Sequence, residues 1–221
     1  NSLLPLVAHV RMQQLIEYLS KSWFHGGGGT GMDVGEIAEV LKQHQRFVSG
    51  KSGGKRAILR EVDLSGLRLP AVDLTDAVLT GSDFSNCILE GVKFDSADLF
   101  GADFTKANLT SASFYRADLR GVQFKGATMT GVNLTDADMR PGALVSSQNA
   151  PVDLSDANLE NSTLDRAKMD KAKLRNASLK NASMRSMQAN SVDFSGADLE
   201  GANMEKAKLK YEKLGYKLKL V

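Results

Sequence analysis

The stretch Ala97-Asp98-Leu99-Phe100-Gly101-Ala102-Asp103-Phe104-Thr105-Lys106-Ala107-Asn108-Leu109-Thr110-Ser111 decides the fold. Three times in succession it reads a small residue, Asp or Asn, a large apolar residue, and two more. Followed outward, the large residue recurs at every fifth position from Leu59 to Leu209. Of these 31 positions 29 are Leu, Phe or Met, and Asn149 and Ala189 are the exceptions. A period of five fits neither the 3.6 of an α-helix nor the 2.0 of a flat strand. It marks a structural repeat.

The position two before the large residue is small in nearly every unit, as at Ala77, Ser82, Cys87, Val92, Ala97 and Ala102, and later at Ala157, Ser162 and Ala167. One small and one large side chain, two residues apart, therefore face inward in each unit. Such an alternation is strand-like. Gly is frequent two after the large residue, at Gly81, Gly91, Gly101, Gly121 and Gly131, where a turn needs its freedom. Short extended pieces alternating with turns wind into a coil whose backbone pairs with the coils on either side, about 4.8 Å away.

Units such as Ala97-Asp98-Leu99-Phe100-Gly101, Ala107-Asn108-Leu109-Thr110-Ser111, Ala117-Asp118-Leu119-Arg120-Gly121 and Ala157-Asn158-Leu159-Glu160-Asn161 resemble the pentapeptide repeat family, whose pattern is A(D/N)LXX. The resemblance covers about 153 of 221 residues. It implies an all-β solenoid, a right-handed quadrilateral β-helix with four pentads per coil and about eight coils, here preceded by N-terminal helices.

Four pentads per coil place residues twenty apart on one face. Phe84, Phe104 and Phe124 then form one column and Phe94 and Phe114 the opposite one. Asp63, Asp83 and Asp103 stack on one face and Asp98, Asp118 and Asp138 on another. These carboxylates are expected to satisfy turn backbone groups, or else to form acidic faces. Two defects interrupt the rhythm. Around residues 140–152, Arg140-Pro141-Gly142 through Asn149-Ala150-Pro151 keeps the count of five but loses its character, which predicts a loop excursion or a kink. At Met187 and Ala189 the large and small sizes are swapped, so the long Met is expected to fill what Ala189 leaves empty.

The flanks divide the rest. Residues 1–31 combine an amphipathic helix over about 4–24, from Met12, Leu15, Ile16, Leu19 and Trp23, with a Gly26–Gly31 linker. Residues 32–56 begin with Asp33 and Glu36, a capping-box pattern, and carry Val34, Ile37, Ala38, Leu41 and Val48 on one stripe. They predict a helical N-terminal cap for the repeat at 57–209. The tail at 210–221 is basic and aromatic and reads as a C-terminal cap. Leu214, Leu218, Leu220 and Val221 could equally serve a homodimer through that terminus, as in some members of the family.

Composition narrows the function. With 28 basic and 26 acidic residues the net charge is +2, which argues against nucleic acid as a partner. Residues 57–140 carry 8 basic and 12 acidic groups, so the first half of the repeat is mildly acidic. No apolar run reaches membrane-spanning length, which argues against a membrane and for a cytoplasmic protein. The lone Cys87 occupies a small inward slot and reads as inert core. His9, His25 and His44 have no ligand-like spacing, and His44 is expected to be solvated or a capping contact. The Gly-rich segments lack the strand and Lys-Ser/Thr of a phosphate loop. The chain thus reads as a non-enzyme, with no cofactor or metal.

The leading reading is a bacterial scaffold that presents flat faces to a partner protein of unknown identity. Phe100 and Tyr115, read as exposed, with Arg116, Arg120 and Arg140 form its contact patch. A second reading is a DNA mimic that modulates a type II topoisomerase, since the repeat resembles the quinolone-resistance branch of the family. A third makes the repeat an accessory module joined through residues 1–31 to another activity.

Overall fold

The computed structural model describes residues 32–142 and 150–210. The helix expected at 4–24, its glycine linker, Leu144, Asn149, and the tail with Leu214, Leu218, Leu220 and Val221 lie outside the described residues. The chain divides into two units at Ile58/Leu59.

In the first unit, α1 (Val34–Val48) starts as the sequence predicts. The Asp33 carboxylate accepts the Glu36 N–H, and the Glu36 carboxylate accepts the Asp33 N–H, both at 2.8 Å. This satisfies two donors that the first helical turn leaves over. Ile37, Ala38 and Leu41 are buried. So is His44, one turn further along that stripe; it is not solvated. Its Nδ1 accepts the Ala57 N–H at 3.0 Å, and its ring stacks on Phe47. The chain returns so close to the helix that a Cβ on Gly54 would lie 2.3 Å from the Phe47 nitrogen. No larger residue fits there.

The second unit is a β-helix solenoid of twenty-residue coils. Parallel bridges join residues twenty apart in four ladders. Asp63, Asp83 and Asp103 form one ladder, Arg68, Ile88 and Asn108 the next, Asp73, Lys93 and Ser113 the third, and Val78, Asp98, Asp118 and Asp138 the fourth. Each bridge is one residue long because a turn follows immediately. The large residue's carbonyl accepts the N–H three residues on, as Leu99 does from Ala102 at 2.9 Å. The residue between, two after the large one, takes a positive φ of 54–73° whether or not it is glycine. This is the αL position that a type II turn requires. Only β1 (Gln188–Asn190) and β2 (Lys208–Lys210), paired in parallel, extend to three residues among the described residues. They occur where the sizes are swapped, and Met187 and Ala189 are both fully buried.

The interior is ordered by ring geometry. Phe84 stacks on Phe104 at 4.8 Å, Phe104 on Phe124 at 5.3 Å, and Phe94 on Phe114 at 5.0 Å. The two columns also meet edge to face at 5.6–5.7 Å. The five rings therefore form one zipper, each pair worth about 0.5–1.5 kcal/mol beyond burial. Phe194 sits in the same ladder as Phe124 but follows Leu154 and Leu174, because its bridges run Gln123–Asp153–Lys173–Asp193. In the last coil Ala202, Met204, Ala207 and Leu209 are only half-buried, unlike their counterparts in earlier coils.

The break at 140–152 changes the register. Gln123 bridges Asp153 and Asp138 bridges Lys168, thirty residues apart instead of twenty. The count of five continues through it in the sequence, but the wall does not. The bridge register thus gains ten residues between Arg140 and Val152. The neck is closed by an antiparallel bridge in which the Gly142 N–H donates to the Ala150 carbonyl at 3.0 Å.

Candidate interaction face

The ladder Val78, Asp98, Asp118, Asp138, Lys168, Gln188, Lys208 runs the length of one face. Each outward residue on it lies just before an inward large residue, except Gln188, which precedes Ala189. One corner of this face carries the residues just after those large ones: Phe100, Arg120, Arg140, Asp170, Asn190 and Lys210. The opposite corner carries Tyr115, Arg116, Asp136, Asp165, Arg166 and Arg185. The twenty-residue coil thus gathers the five contact residues read from the sequence onto the two edges of one face. Asp98, Asp118 and Asp138 lie between them. Asp63, Asp83 and Asp103 lie on the neighbouring face.

The carboxylates serve the turns. Oδ1 of each Asp accepts the backbone N–H two residues on, from Ser65, Ser85 and Thr105 in one ladder and from Phe100, Arg120 and Arg140 in the other. Two carboxylates of this face also hold arginines. The Arg120 guanidinium forks onto Asp118, with Nε to Oδ1 at 2.9 Å and Nη2 to Oδ2 at 2.6 Å. Arg140 does the same to Asp138 at 2.8 and 2.6 Å. The hydrogen bond from Asp118 raises Arg120 above its ordinary value, and that from Asp138 raises Arg140. Burial pushes the Asp138 carboxyl up, but the Arg140 side-chain and backbone hydrogen bonds outweigh it and hold the group below its usual range. Planar forks of this kind fix the guanidinium before any partner arrives.

The two aromatics differ. Tyr115 is exposed, with Arg116 5.5 Å from its ring centroid. Phe100, read from the sequence as exposed, is half-buried. The Arg120 guanidinium covers one side at 5.1 Å, and the neck of the excursion covers another. A Cβ on Gly142 would lie 2.8 Å from the Phe100 ring and 2.9 Å from the Arg120 carbonyl. The neck therefore lies flat on this corner only as glycine.

A second set of carboxylates escaped the sequence reading because it lies after the large residue rather than before it. Asp95 accepts the Tyr115 N–H, Asp165 the Arg185 N–H and Asp170 the Asn190 N–H, each twenty residues on, at 3.0–3.1 Å. Asp165 is the most tightly held. It is 4% exposed and also accepts from the Ser183 hydroxyl at 2.6 Å and from Arg185 Nε at 2.9 Å. Burial pushes its carboxyl up, and these hydrogen bonds more than reverse the shift. With Arg166, Arg185, Ser186, Glu205 and Lys206 it lines a shallow, charged groove of about 250 Å³. Arg166 is tied across the break to Asp136 at 2.8 Å. A sequence signal existed: carboxylates and arginines separated by twenty, or by thirty across the break.

Cys87 is buried and its Sγ lies 2.9 Å from the Leu64 carbonyl, to which it donates. Burial pushes the thiol up to about 12, so no reactive thiolate forms there. Among the described residues no group of His, Cys and carboxylates has a metal-binding arrangement, and no helix is long and apolar enough to cross a membrane.

The sequence model of pentapeptide repeats matches in eight copies, over residues 57–95, 96–140, 152–186 and 188–211. The chain belongs to the pentapeptide repeat family. The boundaries of these matches leave out the excursion, in agreement with the jump in bridge register. The family model describes a repeat and indicates no catalytic activity. Similar solved pentapeptide repeat structures include a trypsin-treated variant of QnrB1, a plasmid-mediated fluoroquinolone resistance protein. It is 19% identical, with a TM-score of 0.46, over 75% of this chain and 87% of that one. They also include HetL of the cyanobacterium Nostoc, a pentapeptide repeat protein involved in the regulation of heterocyst differentiation. It is 22% identical, with a TM-score of 0.27, over 80% and 95% of the two chains. No curated protein matches the chain significantly.

Proposed function

We propose that this pentapeptide repeat protein is a non-enzymatic scaffold of the bacterial cytoplasm that binds a partner protein on the face edged by Tyr115 and Arg120. In this reading the wall is a right-handed quadrilateral β-helix of about seven coils rather than the eight expected, four in-register pentads to each, because the thirty-residue step takes two pentads out of register. Leu214, Leu218, Leu220 and Val221, outside the described residues, are read from the sequence as part of a C-terminal cap or of a contact with a second copy. One observation carries the reading: Arg120 and Arg140 are already locked in forks beside the half-buried Phe100, across the face from the exposed Tyr115. Aromatic and arginine side chains dominate binding energy at protein interfaces. Side chains fixed beforehand lose little freedom on binding. The test is capture from a bacterial lysate on the immobilised full chain and on its Tyr115→Ala/Arg116→Ala variant. A protein retained by the first and lost by the second supports the reading. Identical retention on both, or none on either, rejects it.

The ladder Asp63–Asp83–Asp103 favours a second reading, the DNA mimic. These three carboxylates sit one bridge apart, and among the described residues none has a cation partner. A titration of purified gyrase with the full chain that leaves supercoiling unaltered rejects this reading.

A further inference from the structure

We propose that the face carrying Asp98, Asp118, Asp138, Lys168, Gln188 and Lys208 pairs with the same face of a second copy of this chain, the two copies running antiparallel. The six residues form one continuous bridged ladder, with acidic residues in its first half and two lysines in its second. A two-fold axis across the face, midway between Asp138 and Lys168, sets Asp98 against the partner's Lys208. It sets Asp118 against the partner's Gln188 and Asp138 against the partner's Lys168. The same axis acts on both flanking corners. On one it sets Arg140 against the partner's Asp170 and Phe100 against the partner's Lys210. On the other it sets Asp136 against the partner's Arg166. Like charges oppose in neither the central ladder nor the Phe100 corner; on the other corner the row of Tyr115 sets Tyr115 against the partner's Arg185 and leaves one like-charge contact, Asp95 against the partner's Glu205, at each end. A two-fold along the stack does the reverse, because it places every residue against its own copy, Asp118 on Asp118. Self-complementarity of this kind is what an isologous interface requires.

The charges at the centre are already met within one chain: Arg166 pairs with Asp136 and Arg140 with Asp138. Those at the ends are not. Asp98 accepts from the Phe100 N–H and the Thr80 hydroxyl but has no cation among the described residues. Of the ten Lys and Arg between residues 150 and 210, six form ion pairs: Arg166, Lys173, Arg175, Lys180, Arg185 and Lys206. The other four, Lys168, Lys171, Lys208 and Lys210, all lie on this face or its corner, and all four are exposed. Six rungs about 4.8 Å apart make a patch about 24 Å long. That is below the size of a standard interface, so the dimer is weak and sensitive to salt. The inference does not rest on the partner protein proposed above, because its readout is the mass of the isolated chain.

The experiment is a charge swap followed by sedimentation velocity on the full chain at about 100 μM, in about 50 mM and about 500 mM NaCl. The chain is expected to show twice its monomer mass in low salt and to return to monomer in high salt. Asp98→Lys and Lys208→Asp are each expected to be monomeric in low salt, since each homodimer then opposes like charges twice. Mixed in equal amounts they restore both pairs and the doubled mass. Asp98→Asn keeps the turn hydrogen bond and is used if Asp98→Lys does not fold; it weakens the low-salt dimer by several-fold. A chain that stays monomeric in low salt overturns the proposal. So do single variants that still dimerise, or folded variants whose mixture stays monomeric.

Discussion

The coils from Leu79 to Met139 and those from Leu154 to Leu209 build the same wall from different materials. The earlier coils are filled by five interlocked phenylalanines, with rings stacked along each column and crossed between columns. The later coils are filled by Leu, Met and the single Phe194, which make no such ring pairs, and are laced on the outside. Asp165 holds Arg185 across one rung, Arg175 reaches Asp193 at 2.6 Å, and Lys180 spans Asp198 and Glu200. The difference shows that a repeat can fix its register either from its interior or from its surface. Surface ties alone are weak where exposed. The later half therefore depends on the carboxylates that are shielded, Asp165 and Asp193.

The largest effect should come from removing the centre of the zipper. Phe104→Ala is expected to cost about 4 kcal/mol in chemical denaturation, as large cavities in packed cores do. Leu174→Ala, in the same ladder of the later half, is expected to cost about 3 kcal/mol. The excess belongs to the ring pairs that Phe104 makes with four neighbours. Equal costs would erase the distinction between the halves.

Acid should expose the surface lacing next. Burial pushes the Asp193 carboxyl up, but hydrogen bonds from the Ser195 hydroxyl and Arg175 outweigh it and hold the group at about 2, below its ordinary 3.8. A carboxyl lowered on folding adds stability above its unfolded value, and loses it as pH falls toward the folded one. Stability from Asp193, on the order of 2 kcal/mol, is therefore present above about pH 4 and disappears toward pH 2. Asp193→Asn should flatten that acid limb in thermal melts. An unchanged limb would mean that the lacing contributes nothing there.

Two buried serines give a smaller and opposed pair. Ser82, in the earlier half, accepts the Val62 N–H at 3.3 Å and donates to the Leu59 carbonyl at 2.5 Å. Ser162, in the later half, is buried and its hydroxyl has no hydrogen-bond partner. Ser82→Ala should destabilise by about 1–3 kcal/mol and Ser162→Ala should stabilise by about 1 kcal/mol. The smallest expected change is Ala71→Gly. Ala71 holds a φ of 54° in the αL position of its turn, and relief of that strain should add about 0.5 kcal/mol.

The five-residue rhythm made the inward residues, the Phe columns and the turn glycines legible, because each obeys a local steric rule. The capping box at Asp33 and Glu36 was legible for the same reason. The break was visible as lost character at Pro141 and Asn149, but not as a change of register, since ten residues is a whole number of pentads. The sequence leaves His44 as either solvated or a capping contact, because its burial depends on the chain returning at Ala57. The sequence reads Phe100 as exposed because the groups that cover it, the Arg120 side chain and the Gly142 backbone, come from 20 and 42 residues away. The face itself emerged only when the ladders were followed through the thirty-residue step from Asp138 to Lys168.

That step is the account's central claim, and one deletion tests it most directly. Replacing residues 141–151 by a single glycine removes ten residues and restores twenty-residue spacing throughout. The glycine then stands two after Met139, at the turn position that takes a positive φ elsewhere in the wall and that proline cannot adopt. The account predicts a folded chain with the β signature of the parent in circular dichroism and one cooperative melt within a few degrees of it. Loss of the folded signal, or a melt split into two transitions, would contradict it.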